Sequence, residues 1–267
     1  MTPGLDAIAA PYSTILCDIW GVIHDGAEVF PGAAERLLAW KNAGKCVVLI
    51  TNAPRPASTI EHDLARLGLP RAAFDAVTSG GEAGIAALTD PQRAVGFLGT
   101  SEDRDDLVAH GVRIVDGGFR EVACTGLDEV RDDPDDYRRQ LAQWANDGVL
   151  LHCLNPDRVV VHCGVRQACA GALADIYEDL GGEVAWYGKP HQPIYAHALA
   201  LAGNPPLARV LAIGDGLVTD MLGAARAGID ALFVAGGIHD GESFPHDFAA
   251  TYGLGEWQPV AVVPALV

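Results

Sequence analysis

Short apolar runs alternate along the chain with longer stretches in which apolar residues recur at helical spacing. Runs rich in β-branched and aliphatic side chains are typical of buried strands, and their alternation with helical segments predicts parallel sheets covered by helices. The predicted strands cover residues 14–19, 46–51, 94–98, 149–154, 158–162, 183–187, 209–214 and 230–235.

One of the intervening segments shows signals for both ends of a helix. Ser58 and Glu61 have the spacing of a capping box, and Gly68 supplies a stop. An apolar face lies between these signals, at Ile60, Leu64 and Leu67.

Two compositionally unusual stretches also predict helix starts. The acidic residues 132–136 precede a helical segment over residues 137–146, where negative charge complements the helix dipole. The glycine-rich residues 79–84 lack the full spacing of a dinucleotide fingerprint, so we interpret them as a strand-to-helix turn.

Composition limits the partners and the surroundings that we expect. A formal net charge of -17 over 267 residues argues against binding to nucleic acid or to an anionic membrane surface. Six cysteines without a CxxC pair favour a reducing compartment, and no stretch reaches the roughly 18 apolar residues of a membrane span. We therefore expect a cytoplasmic protein, either a monomer or a homodimer.

Polar side chains follow four of the predicted strands. Asp18 ends the first strand and precedes a glycine-containing turn, and the pair Thr51-Asn52 ends the second. Lys189 follows the strand at 183–187, and the run from Gly214 to Asp220 carries two carboxylates as a helix opens. Because ligands bind at the carboxyl ends of strands in open parallel sheets, each cluster is a candidate site.

The chemistry of these groups points to phosphate and to a hard metal ion. The Thr51 hydroxyl, together with nearby backbone amides, is suited to a phosphate oxygen. The Asp215 and Asp220 carboxylates are the ligands that magnesium prefers, and a dication beside Asp18 would offset its repulsion from an anionic substrate. Taken singly, each cluster also fits a cap, a turn or a surface residue.

In this order and spacing, the four clusters resemble the motifs of the haloacid dehalogenase (HAD) superfamily. The resemblance runs from residue 14 to residue 228 and implies an α/β fold with a Rossmann-like open parallel-sheet core. It also implies that Asp18 is the nucleophile, Thr51 a phosphate ligand and Lys189 the charge that steadies the phosphoryl group. Asp215 would bind Mg²⁺, with Asp220 supporting the acidic loop.

More than 130 residues separate Thr51 from Lys189, a spacing similar to the inserted α/β cap of the class IIA, NagD-like phosphatases. We expect a HAD core over residues 1–78 and 184–267 and a cap over residues 79–183. Local likenesses at residues 29–33, 154–157 and 187–190 agree with this branch. The expected substrate is a small phosphorylated metabolite, contacted by Asn52, Asn155 and Asp157 as well as by Thr51 and Lys189.

The first motif departs from the family at Trp20. Phosphatases of this superfamily have there a second aspartate, which protonates the leaving oxygen and later activates water. An indole can do neither, although the Trp20 backbone carbonyl can still bind Mg²⁺, as that position does in the family. Replacement acids could come from His24, Asp25 or His191, but Asp25 with Gly26 is more typical of a turn.

Three functions therefore stay open. The first is a magnesium-dependent phosphatase that favours good leaving groups. The second is a phosphate-binding or regulatory protein with weak or no turnover. The third is a carbon-halogen hydrolase, because 2-haloacid dehalogenases also carry an aromatic residue at this position. Those enzymes work without a metal, whereas Asp215 and Asp220 are suited to magnesium, so this function is disfavoured.

Overall fold

A computed structural model describes residues 4–162, 165–236 and 244–266 of the chain. The chain divides into two compact units. The first unit comprises Met1–Thr51, Glu61–Thr78 and Tyr195–Val267, and the second comprises Asn52–Ile60 and Ser79–Ile194.

The predicted alternation of strands and helices is present in both units. The strands are β1 (Thr14–Asp18), β2 (Cys46–Thr51), β3 (Ala76–Ser79), β4 (Ala94–Leu98), β5 (Arg113–Ile114), β6 (Glu121–Cys124), β7 (Leu150–Cys153), β8 (Val159–His162), β9 (Val165–Ala168), β10 (Glu183–Trp186), β11 (Val210–Gly214), β12 (Asp230–Val234) and β13 (Ala261–Val263). The helices are α1 (Leu5–Ala9), α2 (Ala33–Asn42), α3 (Ala57–Arg66), α4 (Gly80–Thr89), α5 (Ser101–Ala109), α6 (Arg138–Asn146), α7 (Ala170–Asp179), α8 (Gln192–Leu201), α9 (Leu222–Ala227) and α10 (Phe248–Thr251).

The first unit is built on a sheet of order β13-β12-β11-β1-β2-β3. Strand β1 pairs in parallel with β2 and β11, and β12 pairs in parallel with β11 and β13. Strands β1 and β11 are fully buried, as expected for parallel strands that are covered on both faces. The strand order reverses between β1 and β11, which makes this position the topological switch point of the sheet.

The second unit has a parallel sheet of its own, of order β10-β7-β6-β4-β5, and a separate antiparallel hairpin of β8 and β9. Buried residues of β6, β7, α6 and α7 form its core, including Leu141, Leu151, Leu173 and Tyr177. This unit therefore has the apolar interior that an independent α/β layer structure requires.

The second unit extends beyond the expected range of 79–183. Strand β10 pairs in parallel with β7, so Glu183–Trp186 belongs to the second sheet, and the unit continues to Ile194. Residues 52–60 also belong to it. Pairing partners are not visible in a local apolar run, so the sequence alone did not assign residues 184–186 to the second sheet.

Two helix starts follow the prediction and one differs from it. Ser79 caps α4 by accepting a hydrogen bond from the Glu82 N–H, and Asp133 caps the 3₁₀ turn that leads into α6. The capping box at Ser58 was wrong: α3 begins at Ala57, and the Ser58 hydroxyl instead lies 3.1 Å from Nε2 of His110. Within the described ranges, no helix is both long enough and apolar enough to cross a bilayer.

Candidate active site

The first unit brings three predicted acidic residues together at the switch point of its sheet. Asp18 is the last residue of β1, and Asp215 directly follows β11, the parallel neighbour of β1. Oxygen atoms of Asp18, Asp215 and Asp220 lie within 4.8 Å of one another, and all three residues are buried. We call these three residues the carboxylate cluster.

The composition of the carboxylate cluster fits a hard divalent cation. Buried carboxylates that are this close repel one another, and a cation between them offsets that repulsion. Carboxylate oxygen is the donor type that Mg²⁺ selects, in contrast to the nitrogen and sulfur ligands typical of zinc. Of the predicted metal ligands, the structure thus groups the three aspartates; the backbone carbonyl of Trp20 stays a predicted ligand.

Two glycines allow the cluster to be this compact. A Cβ atom on Gly21, whose φ is +80°, would lie 2.0 Å from Oδ2 of Asp215. A Cβ atom on Gly214 would lie 2.2 Å from Cγ of Asp220. The backbone therefore approaches the carboxylates more closely than any residue with a side chain would permit.

Hydrogen-bond donors from the backbone and from one hydroxyl orient two of the three carboxylates. The Ile19 N–H donates to Oδ1 of Asp18 over 2.7 Å. The Gly216 N–H and the Thr219 hydroxyl both donate to Oδ2 of Asp220, over 3.1 and 3.2 Å. Asp220 thus connects Gly216 and Thr219 within the loop that follows Asp215, and its supporting role at the site stays a prediction.

Thr51 ends β2 at the same edge of the sheet. Asp18 is in register with Ile50, so Thr51 is the next residue along β2. It is half-buried and hence not closed off from solvent. Its predicted contact with phosphate remains a prediction.

The residues after Asp18 form a compact turn around Trp20. The Trp20 and His24 rings meet edge to face with centroids 5.4 Å apart, and a Cβ atom on Gly26 would lie 2.4 Å from the indole. Asp25 Oδ1 accepts hydrogen bonds from the N–H groups of Ala27 and Glu28, so its predicted turn is confirmed.

His24 also belongs to this turn. Its Nδ1 accepts a hydrogen bond from the Gly26 N–H over 2.9 Å, which places the ring proton on Nε2. Burial lowers the pKa of His24 from its usual value. A neutral imidazole at neutral pH follows from both observations.

The second unit holds the remaining predicted residues. The Asn52 side-chain amide donates to Oδ1 of Asp157 (2.8 Å) and to the Lys189 carbonyl (3.1 Å), and its Oδ1 accepts from the Lys189 N–H (2.6 Å). Lys189 and Asn52 are 3% and 5% exposed. We call Asn52, Asp157 and Lys189 the lysine clamp, because the Asn52 amide is hydrogen-bonded to both the N–H and the carbonyl of Lys189.

Residues around the lysine clamp are packed at close range. Asn155 Oδ1 accepts from the Asp157 N–H over 3.1 Å, which closes a turn at the end of β7. A Cβ atom on Gly188 would lie 2.3 Å from Cδ of Pro156 and 2.6 Å from Oδ1 of Asn52. The predicted substrate contacts of Asn52, Asn155 and Asp157 stay predictions.

Sequence reasoning missed the clamping part of Asn52. The separations of 137 residues to Lys189 and 105 to Asp157 leave no local signal. His191, a candidate replacement acid, stacks on Trp186 with centroids 5.0 Å apart and planes within 6°. One face of the His191 ring is therefore covered by Trp186. Its proton-transfer role stays a prediction.

Family models match both parts of the chain that carry the motifs. A model described as haloacid dehalogenase-like hydrolase matches residues 15–113, and one described as HAD-hydrolase-like matches residues 186–266. The two matches flank a central segment that includes most of the second unit.

Three known proteins are similar over most of the chain. A haloacid dehalogenase-like family hydrolase from Brucella suis 1330 is 32% identical, with a TM-score of 0.85 and full coverage of both chains. Ribonucleotide monophosphatase NagD from Escherichia coli K12 is 29% identical over 84% of this chain and 88% of its own length. The glycerol phosphate phosphatase of Mycobacterium tuberculosis, solved in complex with magnesium, has a TM-score of 0.74 and is 23% identical. The match covers 97% of this chain and 77% of that protein, and at this identity it supports the fold alone.

Proposed function

The chain belongs to the haloacid dehalogenase-like hydrolases, in their NagD-like branch, and on that premise we propose that it is a magnesium-dependent phosphatase of small phosphorylated metabolites. The observation that carries the proposal is the carboxylate cluster at the switch point of the first sheet. Two of the similar proteins named above are phosphatases, and one was solved with magnesium.

The proposed reaction has two steps at Asp18. A carboxylate oxygen of Asp18 attacks phosphorus, the bond from phosphorus to the leaving oxygen breaks, and an aspartyl-phosphate forms. Water then attacks phosphorus, the bond to the Asp18 oxygen breaks, and inorganic phosphate is released. The Ile19 N–H on Oδ1 keeps the carboxylate in one orientation.

Charge stabilisation is divided among several groups in this proposal. Mg²⁺ bound by Asp18, Asp215 and Asp220, with the Trp20 carbonyl, would offset the negative charge of the phosphoryl group. The Thr51 hydroxyl binds a phosphoryl oxygen, and Lys189 supplies the positive charge that the family resemblance assigns to it. Asn52 keeps Lys189 in place through its backbone.

Several related expectations belong to the same proposal. The two units act as HAD core and cap, and the segment from Asn155 to Asp157 contributes to substrate choice. The acidic chain acts on small phosphorylated metabolites in the cytoplasm, as a monomer or homodimer. NagD is named for ribonucleotide monophosphates and the mycobacterial relative for glycerol phosphate, which together define the first substrates to try.

Trp20 favours a second candidate, a phosphate-binding protein with weak turnover. Without a carboxylate at position 20 to protonate the leaving oxygen, the rate of phosphoryl transfer is expected to be about 10²–10⁴-fold lower. The phosphatase proposal therefore implies a preference for acyl and aryl phosphates, whose leaving oxygens need little protonation. Cleavage of a carbon-halogen bond needs no acid either. The dehalogenases work without a metal, however, so this reaction would not explain the carboxylate cluster.

Release of inorganic phosphate tests the proposal. The substrates are ribonucleotide monophosphates, glycerol phosphate, an aryl phosphate and an acyl phosphate, each with Mg²⁺ or with EDTA. We expect Mg²⁺-dependent turnover that falls to background in Asp18→Asn, while circular dichroism shows an unchanged fold. Phosphate binding by calorimetry without any turnover would instead support the second candidate, and chloride release from a 2-chloro acid would support the third.

A further inference from the structure

A line of polar side chains, two of them buried and one partly exposed, crosses the sheet of the second unit. His152 on β7 is 2% exposed, and its register partners are Ala123 on β6 and Ala185 on β10. Glu121 lies two residues before Ala123, and Tyr187 lies two residues after Ala185. Because side chains alternate along strands, this spacing places Glu121, His152 and Tyr187 on one face.

Hydrogen bonds join these three side chains end to end. His152 Nε2 lies 2.8 Å from Oε2 of Glu121, and His152 Nδ1 lies 2.9 Å from the Tyr187 hydroxyl. Arg93 donates to both oxygens of Glu121, over 2.8 and 2.9 Å. We call Glu121, His152 and Tyr187 the polar relay.

The polar relay has a defined donor direction. The Glu121 carboxylate only accepts, so the ring proton of His152 is on Nε2. Nδ1 then accepts from the Tyr187 hydroxyl. Burial lowers the pKa of His152, with a partly opposing effect of Glu121, and this agrees with a neutral ring. The Tyr187 hydroxyl is thereby held by a ring that is itself held by a carboxylate.

One end of the polar relay meets the segment that carries Lys189. The Tyr187 N–H donates to the Cys153 carbonyl over 3.1 Å, and the Lys189 N–H donates to Oδ1 of Asn52. Gly188, between them, has no room for a side chain. Residues 187–189 are thus fixed by the polar relay on one side and by Asn52 on the other.

A need for stability alone does not explain a largely buried line of polar side chains. Well-packed apolar residues of similar volume are often as stable as a buried ionic network, whereas a satisfied network confers a defined geometry. Here the geometry is conferred on the backbone that presents Lys189.

We propose that the polar relay sets the position of Lys189, so that His152 and Tyr187 are positioning residues for phosphoryl transfer. The proposal rests on the proposed function, because it takes Lys189 as the charge on the phosphoryl group. Neither residue is required to contact substrate. Their effect should therefore appear in kcat rather than in KM.

Two buried tyrosines provide a matched test. Tyr187→Phe removes only the hydroxyl that joins the polar relay, whereas Tyr177→Phe removes a buried hydroxyl that donates to the Val149 carbonyl, away from Lys189. We expect Tyr187→Phe to lower kcat about 10-fold at unchanged KM, by analogy with the losses caused by mutating outer-shell residues that orient the ligands of a metal ion. Tyr177→Phe should lower the melting temperature at unchanged kcat. Equal effects of the two changes on kcat would overturn the proposal.

Glu121 allows a rescue experiment. Glu121→Gln keeps an oxygen that accepts from His152 Nε2–H, and Glu121→Ala keeps none. We expect Glu121→Ala to lower kcat like Tyr187→Phe, and Glu121→Gln to restore most of it. Comparable loss in both Glu121 variants would count against the polar relay.

Hydrogen exchange separates failure of this proposal from failure of the proposed function. The Tyr187 and Lys189 N–H groups are both hydrogen-bonded, so a peptide covering residues 187–189 reports on their protection. We expect faster exchange there in Tyr187→Phe and wild-type exchange in Tyr177→Phe, whether or not the protein turns over phosphate. Unchanged exchange in Tyr187→Phe would overturn the polar relay even in an active phosphatase.

Discussion

The carboxylate cluster of the first unit and the lysine clamp of the second both lie where strands of a parallel sheet end, yet they are built in opposite ways. In the carboxylate cluster, oxygen atoms of three acidic side chains come within 4.8 Å of one another, an arrangement that a bound cation would stabilise. In the lysine clamp, the Asn52 amide forms hydrogen bonds with the Asp157 carboxylate and with the backbone N–H and carbonyl of Lys189.

The difference indicates which residues react and which position others. Like charges in close contact are unfavourable without a ligand, so their persistence points to metal binding and catalysis. A mutually satisfied amide points to positioning. Substitutions in the two regions should therefore differ in kind: metal dependence for the carboxylate cluster, and kcat at constant metal affinity for the lysine clamp.

The largest expected effect is that of Asp215→Asn. Loss of one carboxylate should lower kcat/KM at least about 10³-fold, because bound Mg²⁺ is expected to contribute several kcal/mol to the transition state. Mg²⁺ at 100 times its Kd should stabilise the wild type by about 2.7 kcal/mol, and this gain should vanish in the variant. Melting temperatures with Mg²⁺ and with EDTA measure it.

Asp103→Asn is the control for that experiment. Asp103 is also a buried carboxylate, 7% exposed, but it lies in the second unit and outside the carboxylate cluster. Its variant should keep the full increase in melting temperature with Mg²⁺. If Asp215→Asn kept that increase as well, the carboxylate cluster would not be the metal site.

The next effect is that of Gly21→Ala, compared with Gly44→Ala. Their φ angles are +80° and +79°, so both variants carry a similar left-handed strain of roughly 1–2 kcal/mol. Only at Gly21 would the new Cβ atom meet Asp215, whereas nothing lies within 4 Å at Gly44. We expect urea denaturation to show destabilisation of both variants. Turnover should fall only in Gly21→Ala, by about 10²-fold; equal turnover in the two variants would show that the close approach is unimportant.

Asn52→Ala tests the lysine clamp. The change removes the acceptor of the Lys189 N–H and the donors to Lys189 and Asp157. We expect kcat to fall about 10- to 100-fold with little change in the Mg²⁺ concentration that gives half-maximal activity. Asn146→Ala, at an exposed position of α6, is the control. A rise in KM at unchanged kcat would instead identify Asn52 as a direct substrate ligand.

The two regions were not equally predictable from the sequence. Asp18 and Asp215 each come at the end of a buried apolar strand, and Asp220 lies five residues after Asp215 beyond a glycine-containing turn, so local pattern and general sheet topology are enough to bring them together. The contacts of Asn52 connect residues 105 and 137 positions apart, and no local pattern encodes such a pairing.

The fold shows the same limit. The long apolar strands β1, β2 and β11 were predicted within a residue or so, whereas β6, four residues long and interior to its sheet, was missed. Missing β6 also hid the polar relay, because Glu121 has no apparent partner until β6 is placed beside β7. Short strands in an inserted unit depend on their neighbours for burial, and their neighbours are distant in sequence.

The smallest expected effect is a pH dependence of stability in the second unit. Burial lowers the pKa of His152 below its ordinary 6.5, so the unfolded chain takes up a proton that the folded chain resists. The stabilising contribution of neutral His152 is therefore fully present above pH 6.5 and is lost as the pH falls through the lower folded value. His152→Gln lacks this titration, so the difference in melting temperature between wild type and variant should shrink from pH 8 to pH 5. A constant difference between wild type and His152→Gln from pH 8 to pH 5 would mean that the ring at the centre of the polar relay is not held neutral.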